Sequence, residues 1–124
     1  MAKLIPDAVI DVALTDIKTN TDEVHLCAGE PDDGDDVAAH SLGHVDVDSD
    51  DFTITDGDTS GRKITLGAQT ISADANGDAD HLVCLDTGSP YTIKAITTIP
   101  TKTLASGTDY DVAAVDLWEI RDPS

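Results

Sequence analysis

The sequence predicts a mainly β fold, a short-stranded β-sandwich or small barrel with one N-terminal helix, and three observations point there. Aspartate makes up 22 of the 124 residues and glutamate only three. The short aspartate side chain competes for backbone hydrogen bonds and disfavours helix, whereas glutamate is compatible with it. Apolar residues recur at helical spacing in one good stretch, 6–20. The rest of the chain is a series of short apolar runs separated by Gly, Pro and Asp.

Taken in order, residues 1–5 form an N-terminal arm. Residues 6–20 form the helix: Val9, Ile10, Ala13, Leu14 and Ile17 make one face, and Asp7, Asp11, Thr15 and Lys18 the other. Pro6 suits a first helical position. The early aspartates and the late lysine match the two ends of the helix dipole. Glu23-Val-His-Leu-Cys-Ala28 reads as a strand closed by Gly29-Glu30-Pro31, and residues 32–44 as an acidic loop around Asp32-Asp33-Gly34-Asp35-Asp36. Further strands are expected at 45–48, 52–55 and 63–70, the last with Ile64, Leu66 and Ala68 on one face. Runs 81–86 and 91–98 flank Thr87-Gly88-Ser89-Pro90, a four-residue hairpin loop. Residues 112–121 close the chain. The length fits a single domain, 1–124, with a β region over 24–121.

The charge bounds the partners. With seven Lys plus Arg, the formal net charge is −18. Such a surface is repelled by nucleic-acid phosphates, which proteins neutralise with Lys and Arg, and by anionic membrane. Neither is expected as a partner; another protein or a cation is. Self-repulsion also opposes folding, and two remedies exist: salt that shortens the screening length to about 3 Å at 1 M, or bound subunits and cations. Both fit a halophilic or marine protein working in an assembly. No run of 18 apolar residues is present, and the N-terminus lacks the long uncharged stretch of a secretory signal, so synthesis in a cytoplasm is expected. Cys27 and Cys84, far apart within apolar runs, read as small buried hydrophobes before they read as a disulfide.

Few motifs carry chemistry. Leu85-Asp86-Thr87-Gly88-Ser89 contains the Asp-Thr-Gly of aspartic proteases, in which two copies share a proton across a dimer axis. The flap and the downstream hydrophobic-hydrophobic-Gly element are absent, so a hairpin turn is the better reading. His25 with Cys27, and His81 with Cys84, hold the atoms of a Cys2His2 zinc site, but strand alternation turns His81 and Cys84 to opposite faces. His40 and His44 are expected as exposed loop histidines. Asp74, Asn76, Asp78 and Asp80 place oxygens at alternate positions around Gly77. That is partly like a calcium loop but lacks its closing Glu; Ca2+ or Mg2+ is the cation this set suits. No catalytic residues are expected, and the chain reads as a non-enzyme.

Three stretches together carry a family resemblance. They are Ile10-Asp-Val-Ala-Leu-Thr-Asp-Ile-Lys-Thr-Asn20 leading into Val24-His-Leu-Cys27-Ala-Gly-Glu30-Pro31, the central Asp56-Gly-Asp58-Thr-Ser-Gly-Arg62-Lys63, and the final Trp118-Glu-Ile-Arg-Asp-Pro123. The layout resembles small virion structural proteins of tailed bacteriophages, of the head decoration, cement or auxiliary capsid type. It departs from them after Pro31, where Asp32–Asp36 replaces an expected Thr- and Ala-rich segment. The resemblance implies a non-enzymatic protein, made in the host cytoplasm, that sits on the outer capsid surface. It would bridge neighbouring subunits of the major capsid protein and self-associate, often as a trimer. Leu4, Ile5, Pro6 and Trp118 are the expected contact residues. The alternatives are another virion component (neck, tail or fibre) and a calcium-dependent adhesive or carbohydrate-binding β module.

Overall fold

The computed structural model describes residues 6–88 and 90–121. After Pro6 the chain forms helix α1, Asp7–Asn20, which buries Ile10, Leu14 and Ile17. Nine strands follow among the described residues: β1 Glu23–Cys27, β2 Ser41–Asp46, β3 Phe52–Asp56, β4 Arg62–Leu66, β5 Gln69–Ala73, β6 Gly77–Asp86, β7 Thr92–Leu104, β8 Asp109–Val112 and β9 Val115–Ile120. Their order is β7-β6-β1-β2-β5-β8 in a six-stranded sheet and β3-β4-β9 in a three-stranded one, and the paired strands run antiparallel. The result is the mainly β, curled, sandwich-like architecture with an N-terminal helix that the composition predicts.

One apolar core joins the three parts. Ile10, Leu14 and Ile17 of α1 meet Phe52, Ile64 and Leu66 of the small sheet and Val24, Leu26, Ile71 and Leu82 of the large one. A smaller cluster, Cys27, Val37, Val83 and Leu85, lies on the opposite face of the large sheet. Residues 30–40 cover this second face. Gly34 is indispensable to that cover: a Cβ there would stand 2.2 Å from the Tyr91 carbonyl oxygen, so no larger residue fits without lifting the loop.

Several boundaries differ from the sequence expectation, each for a physical reason. The 32–44 loop contains a short helix, α2 Val37–His40, and the start of β2. Val37 is an apolar anchor, 1 % exposed, that draws this acidic segment onto the sheet. The expected single strand 63–70 is two strands in different sheets. The chain leaves one sheet at Gly67, whose N–H donates to Asp51 O at 2.8 Å, and Ala68 lies exposed between β4 and β5. Strand β7 runs on through Pro100 because the register slips between Ala79↔Lys102 and His81↔Thr98. Ile99–Thr101 therefore bulges opposite Asp80, where a residue without an N–H interrupts no ladder. On α1, Val9 and Ala13 face solvent rather than the core. The helix rests on β3 and β4 along one narrow stripe, and the stripe beside it stays outside.

A 3-10 turn, Ser49–Asp51, leads into β3 and is held by a reciprocal cap. Asp48 Oδ1 accepts from the Asp50 N–H at 2.9 Å, and Asp51 Oδ2 accepts from the Asp48 N–H at 2.9 Å. The D48A variant should therefore lose about 1 kcal/mol in urea unfolding, the usual cost of deleting such a cap; no measurable loss would mean the box contributes nothing.

Candidate functional site

The expected contact residues fall into two groups. Leu4 and Ile5 lie outside the described residues. Pro6 is exposed at the start of α1, and the outer stripe of the helix continues from it with Val9, 60 % exposed, and Val12, 72 % exposed. Val12 had no place on the apolar face read from the sequence, because that face was drawn around Ile10 and Leu14. Trp118 sits on β9, an edge strand, opposite Ile64 of β4, and is 50 % exposed. Exposed side chains contribute little to stability, so these residues are open to a role in contact.

The four oxygen donors expected around Gly77 serve four different neighbours. Asn76 Oδ1 accepts from the Ser106 N–H at 2.8 Å, and Asp78 Oδ1 from the Thr103 hydroxyl at 2.8 Å. Asp80 Oδ1 accepts from the Gly29 N–H at 2.8 Å and meets His81 Nδ1 at 2.7 Å. His81 and the Gly29 amide hold the Asp80 carboxyl below its ordinary range. Asp74 Oδ2 faces His44 Nδ1 at 3.9 Å. Strand β6 begins at Gly77, so Asp78 and Asp80 are alternate residues of a strand rather than ligands wrapped around a loop.

The cysteines are separated by the sheet. Cys84 lies in the main core and Cys27 in the cluster on the other face. Both are free, and burial pushes each thiol up to about 12, which makes them inert apolar filling. The His25, Cys27, His81, Cys84 set accordingly does not converge. Asp86-Thr87-Gly88 is a turn: Asp86 Oδ1 accepts from the Gly88 N–H, and the Asp22 carboxylate accepts from both the Thr87 N–H and its hydroxyl.

Imidazoles and carboxylates instead gather on β1 and β2, two segments that nothing in the sequence joins. Antiparallel register sets Glu23 opposite Asp46 and His25 opposite His44, and alternation puts all four on one face of the sheet. The His25 and His44 rings stack with centroids 4.9 Å apart. His25 is buried; its Nε2 lies 2.9 Å from Glu23 Oε1 and its Nδ1 2.7 Å from Ser41 Oγ. Desolvation lowers its pKa, with Glu23 pulling the other way. In neutral His25, Nε2–H donates to the carboxylate and Nδ1 accepts from the Ser41 hydroxyl, since a carboxylate can only accept. Glu23 Oε2 is left facing His44 Nε2 at 3.9 Å, and Asp46 Oδ1 stands 3.9 Å from the same nitrogen. Among the described residues these three form a group whose ligating atoms lie within 4.8 Å of one another. Beside them opens a cavity of about 270 Å³, walled by Glu23, His25, Val37, Leu85 and Tyr91.

His40 is the other histidine that departs from expectation. It ends α2 rather than lying in a loop, and its Nδ1–H donates to Ala28 O at 2.8 Å. That carbonyl and the neighbouring Asp36 raise its pKa.

Four of the six described Lys and Arg side chains pair with carboxylates of the fold. Arg62 reaches Asp11 at 2.9 Å and Asp56 at 2.8 Å, tying α1 to the small sheet. Lys63 bridges Asp58 and Asp116, Lys94 faces Asp16, and Arg121 faces Glu119. The surplus of negative charge therefore belongs to the surface. No known protein family, curated protein or solved structure matches the chain.

Proposed function

We propose that the chain is a non-enzymatic decoration or cement protein of a tailed-phage virion. In this role it sits on the outer capsid surface and bridges major capsid protein subunits. The observation that carries the reading is the apolar stripe of Val9 and Val12, exposed on α1 next to Pro6 in a chain of net charge −18. A patch of this kind gains free energy when covered by a partner. The acidity supports an outward position, because a chain with a net charge of −18 is repelled by packaged DNA. The layout of the three sequence stretches supports a phage origin. Self-association, as a trimer, would multiply weak contacts with the shell. Binding restricted to the assembled shell would stabilise it by mass action.

The test is reconstitution. Purified protein should co-sediment with mature heads at fixed stoichiometry and raise the temperature at which they rupture. The V9D/V12D double variant should fold normally, since both positions are exposed, yet lose head binding by at least about tenfold, the equivalent of 1.4 kcal/mol. Binding to isolated tails and not to heads, or equal head binding by the double variant, would overturn the assignment.

A further inference from the structure

We propose that Glu23, His44 and Asp46 form a binding site for a divalent first-row transition metal ion, zinc foremost. His25 and Asp74 would orient the ligands. This inference is independent of the virion reading.

Three features of the site point to a cation. The first is spacing. His44 Nε2 lies 3.9 Å from both Glu23 Oε2 and Asp46 Oδ1, too far for hydrogen bonds. Ligands bound to zinc at about 2.0–2.2 Å in a tetrahedron are about 3.4 Å apart. The three ligating atoms already lie within 4.8 Å of one another, so small side-chain shifts of His44 and Asp46, 40 % and 86 % exposed, would close them on an ion. The second is charge. Glu23 and Asp46 are directly opposed in register, and like charges in that position destabilise a sheet. On a chain with net charge −18 their repulsion adds to an existing excess, and a dication between them reverses its sign.

The third is orientation. Metal sites hold their ligands through an outer ring of hydrogen bonds, and the half of that ring behind Glu23 is present here. His25, fixed by Ser41, ties down Glu23 Oε1 and leaves Oε2 facing His44. Asp74 Oδ2 stands 3.9 Å from His44 Nδ1, on the side where a carboxylate would accept that proton and direct Nε2 toward the ion. One imidazole and two carboxylates form a neutral complex with a dication. The nitrogen ligand favours zinc and its neighbours over calcium and magnesium, which take oxygen. Three protein ligands leave coordination positions open to water, next to the cavity bounded by Glu23 and His25.

Titrating chelator-treated protein with Zn2+ in a calorimeter should show one ion per chain, and Co2+ should give a visible absorption band of low coordination number. H44A should weaken Zn2+ binding by about 100-fold or more. H25Q, which removes the Glu23 contact and the ring stacked on His44 but no ligand, should weaken it by about 10–100-fold. H40A, on α2, should leave it unchanged. His44 is solvent-exposed, so H44A is expected to retain the native circular dichroism and melting curve; D46N serves as a second ligand variant if it does not. Several weak ions that survive H44A and D46N, or no Zn2+ binding at all, would overturn the proposal.

Discussion

The F52A variant should unfold with a loss of about 3–5 kcal/mol, the range for removing a buried aromatic side chain. Phe52 is the one phenylalanine of the chain and is 2 % exposed. It begins β3, pairs with Leu66 and enters the core where α1 meets both sheets. Truncation there opens a void that three elements would have to close together, and they are held apart by their own ladders. Small domains have about 5–15 kcal/mol in total, so the loss is a large share of it. At roughly 4 °C per kcal/mol for a chain of this size, the melting temperature should fall by about 12–20 °C. V12A, on the exposed stripe, is the matched control and should stay within about 0.5 kcal/mol of wild type. A loss below about 1 kcal/mol for F52A would mean that the three parts do not share a core.

The second large effect is ionic. Raising NaCl from 0.01 M to 1 M contracts the screening length from about 30 Å to about 3 Å, and the melting temperature should rise steeply with it. Two electrostatic contributions oppose each other. Salt weakens pairs such as Arg62–Asp11 and Lys63–Asp116, but exposed pairs of this type contribute only about 0–1 kcal/mol each. It also relieves self-repulsion among 18 uncompensated charges, which acts on the whole compact state. Relief should win, with most of the gain at low salt. A melting temperature that is flat or falls across this range would show that the local pairs govern instead, and the expectation of a saline habitat would lose its physical basis.

The parts of the fold legible in the sequence were those whose local chemistry and tertiary role agree. Helix α1 was readable from Pro6, the 3.6-residue spacing of Ile10, Leu14 and Ile17, and Lys18. Strand β1 was readable from its apolar run and its Gly29-Glu30-Pro31 stop. Two strands missed in the sequence share one cause. In Gly77-Asp78-Ala79-Asp80 and Asp109-Tyr110-Asp111-Val112, aspartate occupies the outward positions of a strand. Asp-rich, Gly-punctuated sequence is the signature of turns and loops, and aspartate is depleted in strands. Pairing with β7 and β5 overrides that preference. The acidic surface thus disguises strands as turns.

The imidazole–carboxylate cluster was illegible for a different reason. Glu23-x-His25 and His44-x-Asp46 each show the right alternation, but joining them requires the β1–β2 register. That register pairs Glu23–Cys27 with Ser41–Asp46 across an intervening segment that contains α2. A single sequence carries no direct record of it.

The bulge in β7 has a bearing on colloidal behaviour. As the terminal strand of the large sheet, 13 residues long, β7 would ordinarily be a template for another chain's backbone, the route by which β proteins form fibrils. Pro100 offers no donor to an incoming strand, and a second register slip between Ile93 and Ala95, at Lys94, breaks the remaining Thr92–Thr98 run. Cross-β growth from this edge should therefore stay suppressed even when salt has removed the mutual repulsion between molecules.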